Sequence, residues 1–305
     1  MPQPSSPVLH SLRVHPVKSV GGFTADSAFV EPWGLAGDRR WALVDMSDRA
    51  VTQREQPRLA LARAVSSPDG GIVVRAPGRE PLEVARPSGD GSSTDAAGAG
   101  VDRPRPALPG DGVVVNLFGT KVDAVLADTR AGDWFSRHLG VEVRLIHLGD
   151  PAHARPADPR YARAGETVSL ADSNPLLVVS LSSLDALNSL VAQGDHAYEG
   201  PLPMNRFRPN LVVAGTAPWA EDAWRRITVG EVTFRVTKPC ARCVITTVDQ
   251  ETGRRGKEPL RALARHRRFD GKLLFGQHLT PENTGTVRVG DPVTIVTGTL
   301  DTDRS

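Results

Sequence analysis

The sequence predicts a mainly β fold (α+β) with a few short helices. Stretches 113–127, 141–148 and 176–180 are rich in Val, Ile and Leu, in the short apolar runs expected of packed strands. Residues 224–236, with the run Arg-Ile-Thr-Val-Gly-Glu-Val-Thr-Phe-Arg-Val, read as a hairpin turning near Gly230. Neither a strand–helix–strand alternation nor a G-x-G-x-x-G run occurs, so a dinucleotide fold is not supported.

Three helices interrupt the strands. The first spans about 129–139, where Ala131, Trp134, Phe135 and Leu139 fall at helical spacing. The second spans 183–193. Ser182 or Ser183 can cap it, Leu184, Leu187 and Val191 share a face, and Gly194 stops it. The third is short, about 259–266. Residues 86–112 are dense in Pro, Gly, Ser, Asp and Ala, too poor in apolar surface to repay ordering entropy, and read as a mobile surface insertion. A second Pro-rich break at 149–164 marks the expected boundary between a domain at 7–148 and one at 155–298. The polar tail 299–305 is expected to fray.

Composition narrows the function by exclusion. At 305 residues and 39% hydrophobic content the chain can bury a substantial core. A net charge of +2 gives no footprint for nucleic acid or for a membrane surface. Two cysteines argue against a disulfide-framed secreted protein. Met-Pro-Gln-Pro-Ser-Ser has neither the charged nor the apolar region of a signal peptide, and no stretch approaches the roughly 18 apolar residues that span a bilayer. A soluble cytoplasmic protein is expected.

Both cysteines lie in Lys238-Pro-Cys-Ala-Arg-Cys-Val-Ile-Thr-Thr-Val-Asp249, as Cys240 and Cys243. A thiolate is a nucleophile and a soft metal ligand, and cationic neighbours such as Lys238 and Arg242 favour it over the thiol. Two cysteines cannot complete a tetrahedral zinc site, and His266 and His278 lack ligand-pair spacing. The residues leave open a redox pair, a single thiolate holding a metal cofactor, and two ordinary buried cysteines.

The flanking motifs discriminate. Thr246-Thr-Val-Asp249, Thr252-Gly253, Glu258-Pro-Leu260, Leu274-Phe-Gly-Gln277, Glu282-Asn283 and Val289-Gly-Asp-Pro-Val293 resemble the C-terminal half of the MOSC family. The branch most resembled contains the mitochondrial amidoxime reducing component and its bacterial relatives. His15-Pro-Val-Lys-Ser19, Gly34-Leu35, Gly37-Asp-Arg-Arg-Trp41 and the run from Val51 to Leu59 resemble the family's N-terminal β-barrel domain. The resemblance implies two packed β-barrel-like domains with a cofactor cleft between them.

It also implies a molybdenum cofactor (Mo-molybdopterin), and no pyridoxal phosphate, with Cys243 as the protein ligand to the metal and Cys240 as packing. Ala241 and Arg242 would lie beside the cofactor. Lys18, Ser19 and Arg39 match residues that hold the pterin and its phosphate, a role that suits the planar fork of arginine. Arg40, in a strand, would then point the other way. Arg208 and Asn210, in Asn205-Arg-Phe-Arg-Pro-Asn210, match pterin- and metal-site residues. Asp172, Ser173 and Asn174 match the opposite wall, where Ser173-Asn174 replaces a smaller pair. His278 stands where relatives can carry Tyr and would face the cofactor.

The activity implied is reduction of a small N-hydroxylated substrate. The alternative is a sulfur or cofactor carrier using Cys243. With no cysteines left for an iron–sulfur cluster, electrons would come from a separate donor protein. Arg261, Arg265, His266, Arg267, Arg268 and Lys272 form either its docking patch or a solvated helix face.

Overall fold

The computed structural model describes residues 6–87 and 112–297. All but the ends of the 86–112 insertion, and the 299–305 tail, lie outside the described residues. The fold is mainly β, with four sheets and three α-helices among the described residues.

The largest sheet has nine strands. Its path runs Phe23–Ala25, Val8–Val14, Leu211–Ala214, Leu176–Ser180, Lys272–Pro281, Val232–Ala241, Trp224–Val229, Val293–Thr297, and the ninth strand, Arg268–Phe269, pairs with Lys272–Pro281 off this path. The sheet curls until its ends meet. Val8 bridges Pro292, Leu9 N–H donates to the Asp291 carbonyl at 2.9 Å, and Val293 N–H donates to the Pro7 carbonyl at 2.8 Å. Closure removes the exposed edges a flat sheet would carry.

Strand alternation then sorts the side chains. Leu176, Val178, Leu211, Val213, Ile227, Val229, Val232 and Phe234 fill the interior around Trp224. Leu177, Val179 and Val212 point outward and pack beneath helices α2 (Leu181–Ala192) and α3 (Leu260–His266). The predicted hairpin forms, with Ile227 opposite Phe234. Among the described strands one pair is parallel, Leu176–Ser180 with Leu211–Ala214, connected through α2.

The N-terminal half builds a second core. A five-stranded sheet contains Gly112–Leu117, Thr120–Leu126, Arg144–His147, Trp41–Val44 and Ala50–Val51. A three-stranded sheet contains Arg63–Ser66, Ile72–Ala76 and Arg79–Val84. Trp41, Trp134 and Phe135 meet in this core, the latter two from α1 (Thr129–Leu139). Helix α1 starts where the Asp128 carboxylate accepts from Arg130 N–H at 2.8 Å and stops at Gly140, whose φ of 76° an L side chain would oppose.

The two halves interlock. Val8–Val14 pairs with Leu211–Ala214, and Ser27–Glu31 pairs with Gly285–Arg288. Leu9, Leu12, Val14, Val30 and Leu35 therefore bury inside the C-terminal barrel. The cleft between the halves is walled by loops from both. No helix of the described residues is long and apolar enough to cross a membrane.

Two local expectations are corrected and one is resolved in finer detail. Helix α2 begins at Leu181, and its cap is Ser180, whose hydroxyl accepts from Ser183 N–H at 3.1 Å. The run 113–127 is two strands hinged at Phe118-Gly119, both at positive φ. Arg40 is neither in a strand nor a free surface charge. It precedes Trp41–Val44 and its guanidinium donates to the carbonyls of Leu148 and Gly149.

Candidate active site

The cleft holds a cavity of about 210 Å³. All twelve residues singled out from the sequence line it: Cys243, Lys18, Ser19, Arg39, Asp172, Ser173, Asn174, Arg208, Asn210, Ala241, Arg242 and His278.

Three of them sit on unusual backbone. Ser19, Arg39 and Arg208 have φ of 64°, 49° and 53°, a region that residues with a Cβ rarely occupy. Such strain persists only where surrounding contacts over-determine it, and here they do. Arg39 N–H donates to the His15 carbonyl at 2.8 Å, and its carbonyl accepts from Leu170 N–H at 3.0 Å. Its guanidinium bonds the Asp38 carboxylate, Asn210 Oδ1 at 3.1 Å and the Arg208 carbonyl at 3.2 Å. Asn210, fully buried, also accepts from Leu177 N–H at 3.2 Å and donates to the Arg13 carbonyl at 3.2 Å. Arg208 donates to the Val20 carbonyl at 2.8 Å.

The opposite wall is the loop before Leu176–Ser180. Asn174 donates to Thr237 Oγ1 at 3.1 Å and accepts from the Ser173 hydroxyl at 3.1 Å. Asp172 takes the Lys18 ammonium on one oxygen and Arg54 on the other. Burial pushes the Asp172 carboxyl up, but Lys18 and then Arg54 outweigh it and hold the group below the usual carboxylate range. Its side chain is 51% exposed, and that exposure opens into the cleft. Lys18 is almost fully buried, and its ammonium also donates to the Leu170 carbonyl at 2.9 Å.

The two cysteines part company. Cys240, next to last in the strand Val232–Ala241, lies inside an apolar cluster with Leu177, Phe207 and Phe275, and burial pushes its thiol up. Cys243 is partly exposed at the cavity wall and opens the turn Val244–Thr247, where its carbonyl accepts from Thr246 N–H and hydroxyl. Between them Arg242 reaches inward. It donates to the Phe275 carbonyl at 2.8 Å and the Phe207 carbonyl at 3.0 Å, while its Nη2 is buried without a protein partner. Burial disfavours its charge, with both cysteines pulling the other way. Gly276 makes room for this side chain, since a Cβ there would lie 2.7 Å from the Val178 carbonyl and 3.4 Å from Arg242 Nη2.

His278 lines the cavity from the strand Lys272–Pro281, its Nδ1 buried and unpartnered. Burial first, then Arg242 and Lys238, push its pKa down to about 3, so the imidazole is neutral. Burial and the neighbouring Arg39 likewise lower Arg208, to about 9, although a guanidinium remains protonated at neutral pH.

Two residues change roles. Lys238, expected beside the thiolate, lies 4.5 Å over the Tyr161 ring and 3.9 Å from Asp158, and does not line the cavity. Besides Arg242, a second cation coupled electrostatically to Cys243 is Arg54, overlooked in the run Val51 to Leu59. Its signal was an arginine in a motif from the other half of the chain, which spacing alone cannot bring to Cys243. Arg54 and Lys18 both lie 5.0 Å from the exposed Phe118 ring.

The lining is strongly cationic. Lys18, Arg39, Arg54, Arg206, Arg208 and Arg242 face the cavity, against Asp172 as the sole carboxylate among its described lining residues. This excess of desolvated positive charge is what an anionic guest would balance.

The MOSC domain family matches residues 165–294, and the MOSC N-terminal beta barrel domain family matches residues 6–142. Mitochondrial amidoxime-reducing component 1 of Mus musculus is 31% identical over 300 residues, covering 92% of this chain and 80% of that protein. The protein of the same name from Homo sapiens is also 31% identical, covering 92% and 81%. A molybdenum cofactor sulfurase of Oryza sativa is 28% identical over 90% of this chain, which spans 32% of that longer protein. The chain belongs to the MOSC family, with the MOSC N-terminal β-barrel domain preceding the MOSC domain.

Proposed function

We propose that the cavity binds a molybdenum cofactor through Cys243 and that the protein reduces small N-hydroxylated compounds. The observation that carries this reading is a partly exposed thiol set in a cavity with six basic side chains and one carboxylate. The residues fit the group. Arg242 Nη2 and Arg54 Nη1 are buried donors without protein partners, suited to an anion. No cluster of three or more His, Cys, Asp or Glu that could hold a metal occurs among the described residues. A metal at Cys243 would therefore take its remaining ligands from a non-protein group, as a pyranopterin dithiolene provides.

In this reading Cys243 anchors the metal, and Lys18, Arg39 and Arg208 take the phosphate end. The polar edge formed by Asp172, Ser173, Asn174 and Asn210 faces the pterin, with Ala241, Arg242 and His278 completing the enclosure. The bound group supplies the redox chemistry that cleaves an N–O bond, with two electrons and two protons converting N–OH to N–H and water. The chain's own part is to position, desolvate and balance charge. Asp172, kept ionised, fixes Lys18 and Arg54 at the rim, while neutral His278 adds no charge to a crowded cationic wall.

Electrons are delivered by a separate protein. Arg261, His266, Arg268 and Lys272 are exposed and available to an acidic donor, and Arg265, also exposed, is paired with Asp195. Arg267 does not belong to that patch. It is buried against the Trp219 ring at 4.4 Å and bonded to Asp222.

The test is reduction of benzamidoxime by molybdenum-loaded protein with reduced viologen. Turnover well above a Cys243→Ala control supports the reductase. Full cofactor occupancy without turnover favours the carrier reading, which the similarity to a molybdenum cofactor sulfurase keeps in view.

A further inference from the structure

Behind Arg208 lies a second, much smaller chamber of about 20 Å³. Arg13, His15, Arg63, Asn205, Arg208 and Gln250 supply its polar lining, and no lining residue carries a carboxylate. Three arginines thus line a space about the size of one water-sized sphere.

Its polar atoms are unusually idle. His15 is 4% exposed, and although the Pro209 carbonyl lies close enough to favour its protonated form, neither ring nitrogen makes a well-formed hydrogen bond to protein. Arg13 Nε and Asn205 Oδ1 are also buried and unpartnered. The chain keeps His15 in place at close quarters. A Cβ on Gly22 would lie 2.0 Å from the Val14 carbonyl and 2.8 Å from His15 Nδ1, so only glycine fits.

The positive groups penalise one another. Burial and then Arg63 lower Arg13, while burial and then Arg39 lower Arg208. The nearest acids are engaged elsewhere. Glu251 meets Arg63 at 3.1 Å on the exposed side, and Asp38 serves Arg39 and the His15 backbone N–H. Leaving buried donors and like charges uncompensated is costly, and a bound anion removes both penalties at once.

We propose that this chamber binds a monatomic anion, chloride under ordinary conditions, held by the Arg13 Nε–H and a His15 ring N–H against Arg208. The volume excludes phosphate and carboxylates, which need several such spheres of space. Because Arg208 lines both chambers, an anion behind it would balance its charge and steady it for the larger cavity.

Crystals grown with sodium bromide in place of chloride test this directly. An anomalous difference peak between Arg13 and His15 is expected. Bromide peaks on the surface with none in the chamber would overturn the proposal, and so would a water-sized feature there without anomalous signal. In solution, chloride at fixed ionic strength, exchanged against gluconate, should raise Tm saturably by about 2–4 °C. Arg13→Gln should remove that dependence. An equal rise in the variant would also count against the site.

Discussion

Arg54 Nη2 donates to Asp172 Oδ2 at 3.1 Å, joining residues 118 positions apart, while the other oxygen of the same carboxylate holds Lys18. One acid thus pins two N-terminal loops to the loop that opens the C-terminal barrel, at the rim of the cavity that contains Cys243.

Asp172→Asn should lower stability at pH 7 by about 1–3 kcal/mol, because it leaves buried Lys18 without a counter-charge. The carboxyl is held below its ordinary range in the folded state, so its contribution is complete above about pH 4 and is lost as pH falls below that. Burial lowers Lys18 by more than Asp172 raises it, which offsets part of the gain. Denaturant titrations should show the gap between wild type and variant shrinking from pH 4 to pH 2. A gap that does not change with pH would rule out the ion pair as its cause.

His278 predicts an effect at milder pH. Its folded pKa of about 3 lies below the ordinary 6.5, so the unfolded chain binds the proton first and stability falls as pH drops from about 6.5 toward 3. His278→Gln should flatten part of that slope in chemical denaturation. His15 and His138, also lowered by burial, keep the remainder. Parallel wild-type and variant curves across this window would contradict the assignment.

Much of this architecture was legible because it is local. The hairpin over 224–236, the helix near 129–139 and the twelve cavity residues all lie in short motifs whose chemistry is carried by neighbours in sequence. What escaped depends on chain reversal over long distances. Nothing in Val8–Val14 reveals that it will pair with Leu211–Ala214. Arg39 adopts positive φ without glycine, so strand alternation mispredicts the direction of Arg40. Arg54 reaches Asp172 and Cys243 only through tertiary packing, whereas Lys238, five residues from Cys243, is turned toward Tyr161.

Asn210→Ala should cost about 2–3 kcal/mol, since it strips partners from Arg39, the Leu177 N–H and the Arg13 carbonyl in a buried setting. Ser173→Ala, which removes one partly exposed hydroxyl bond, should cost less than about 1 kcal/mol. Thermal unfolding of the two variants gives the comparison, and equal losses would refute the ranking.

The cysteines should separate by function and stability. Cys240→Ala should retain most activity and lose about 1–2 kcal/mol from a small core cavity. Cys243→Ala should keep its stability, since that side chain is partly exposed, and lose activity entirely. Equal loss of activity in both would favour a dithiol mechanism.

The most direct measurement is the molybdenum and pterin content of the wild-type chain and of Cys243→Ala, both purified from a host that makes the cofactor. The wild type should carry about one molybdenum per chain, as a single soft thiolate ligand implies, and yield a fluorescent pterin on oxidation, with the variant depleted of metal. Wild-type protein free of molybdenum and pterin, or a variant loaded equally, would contradict the account.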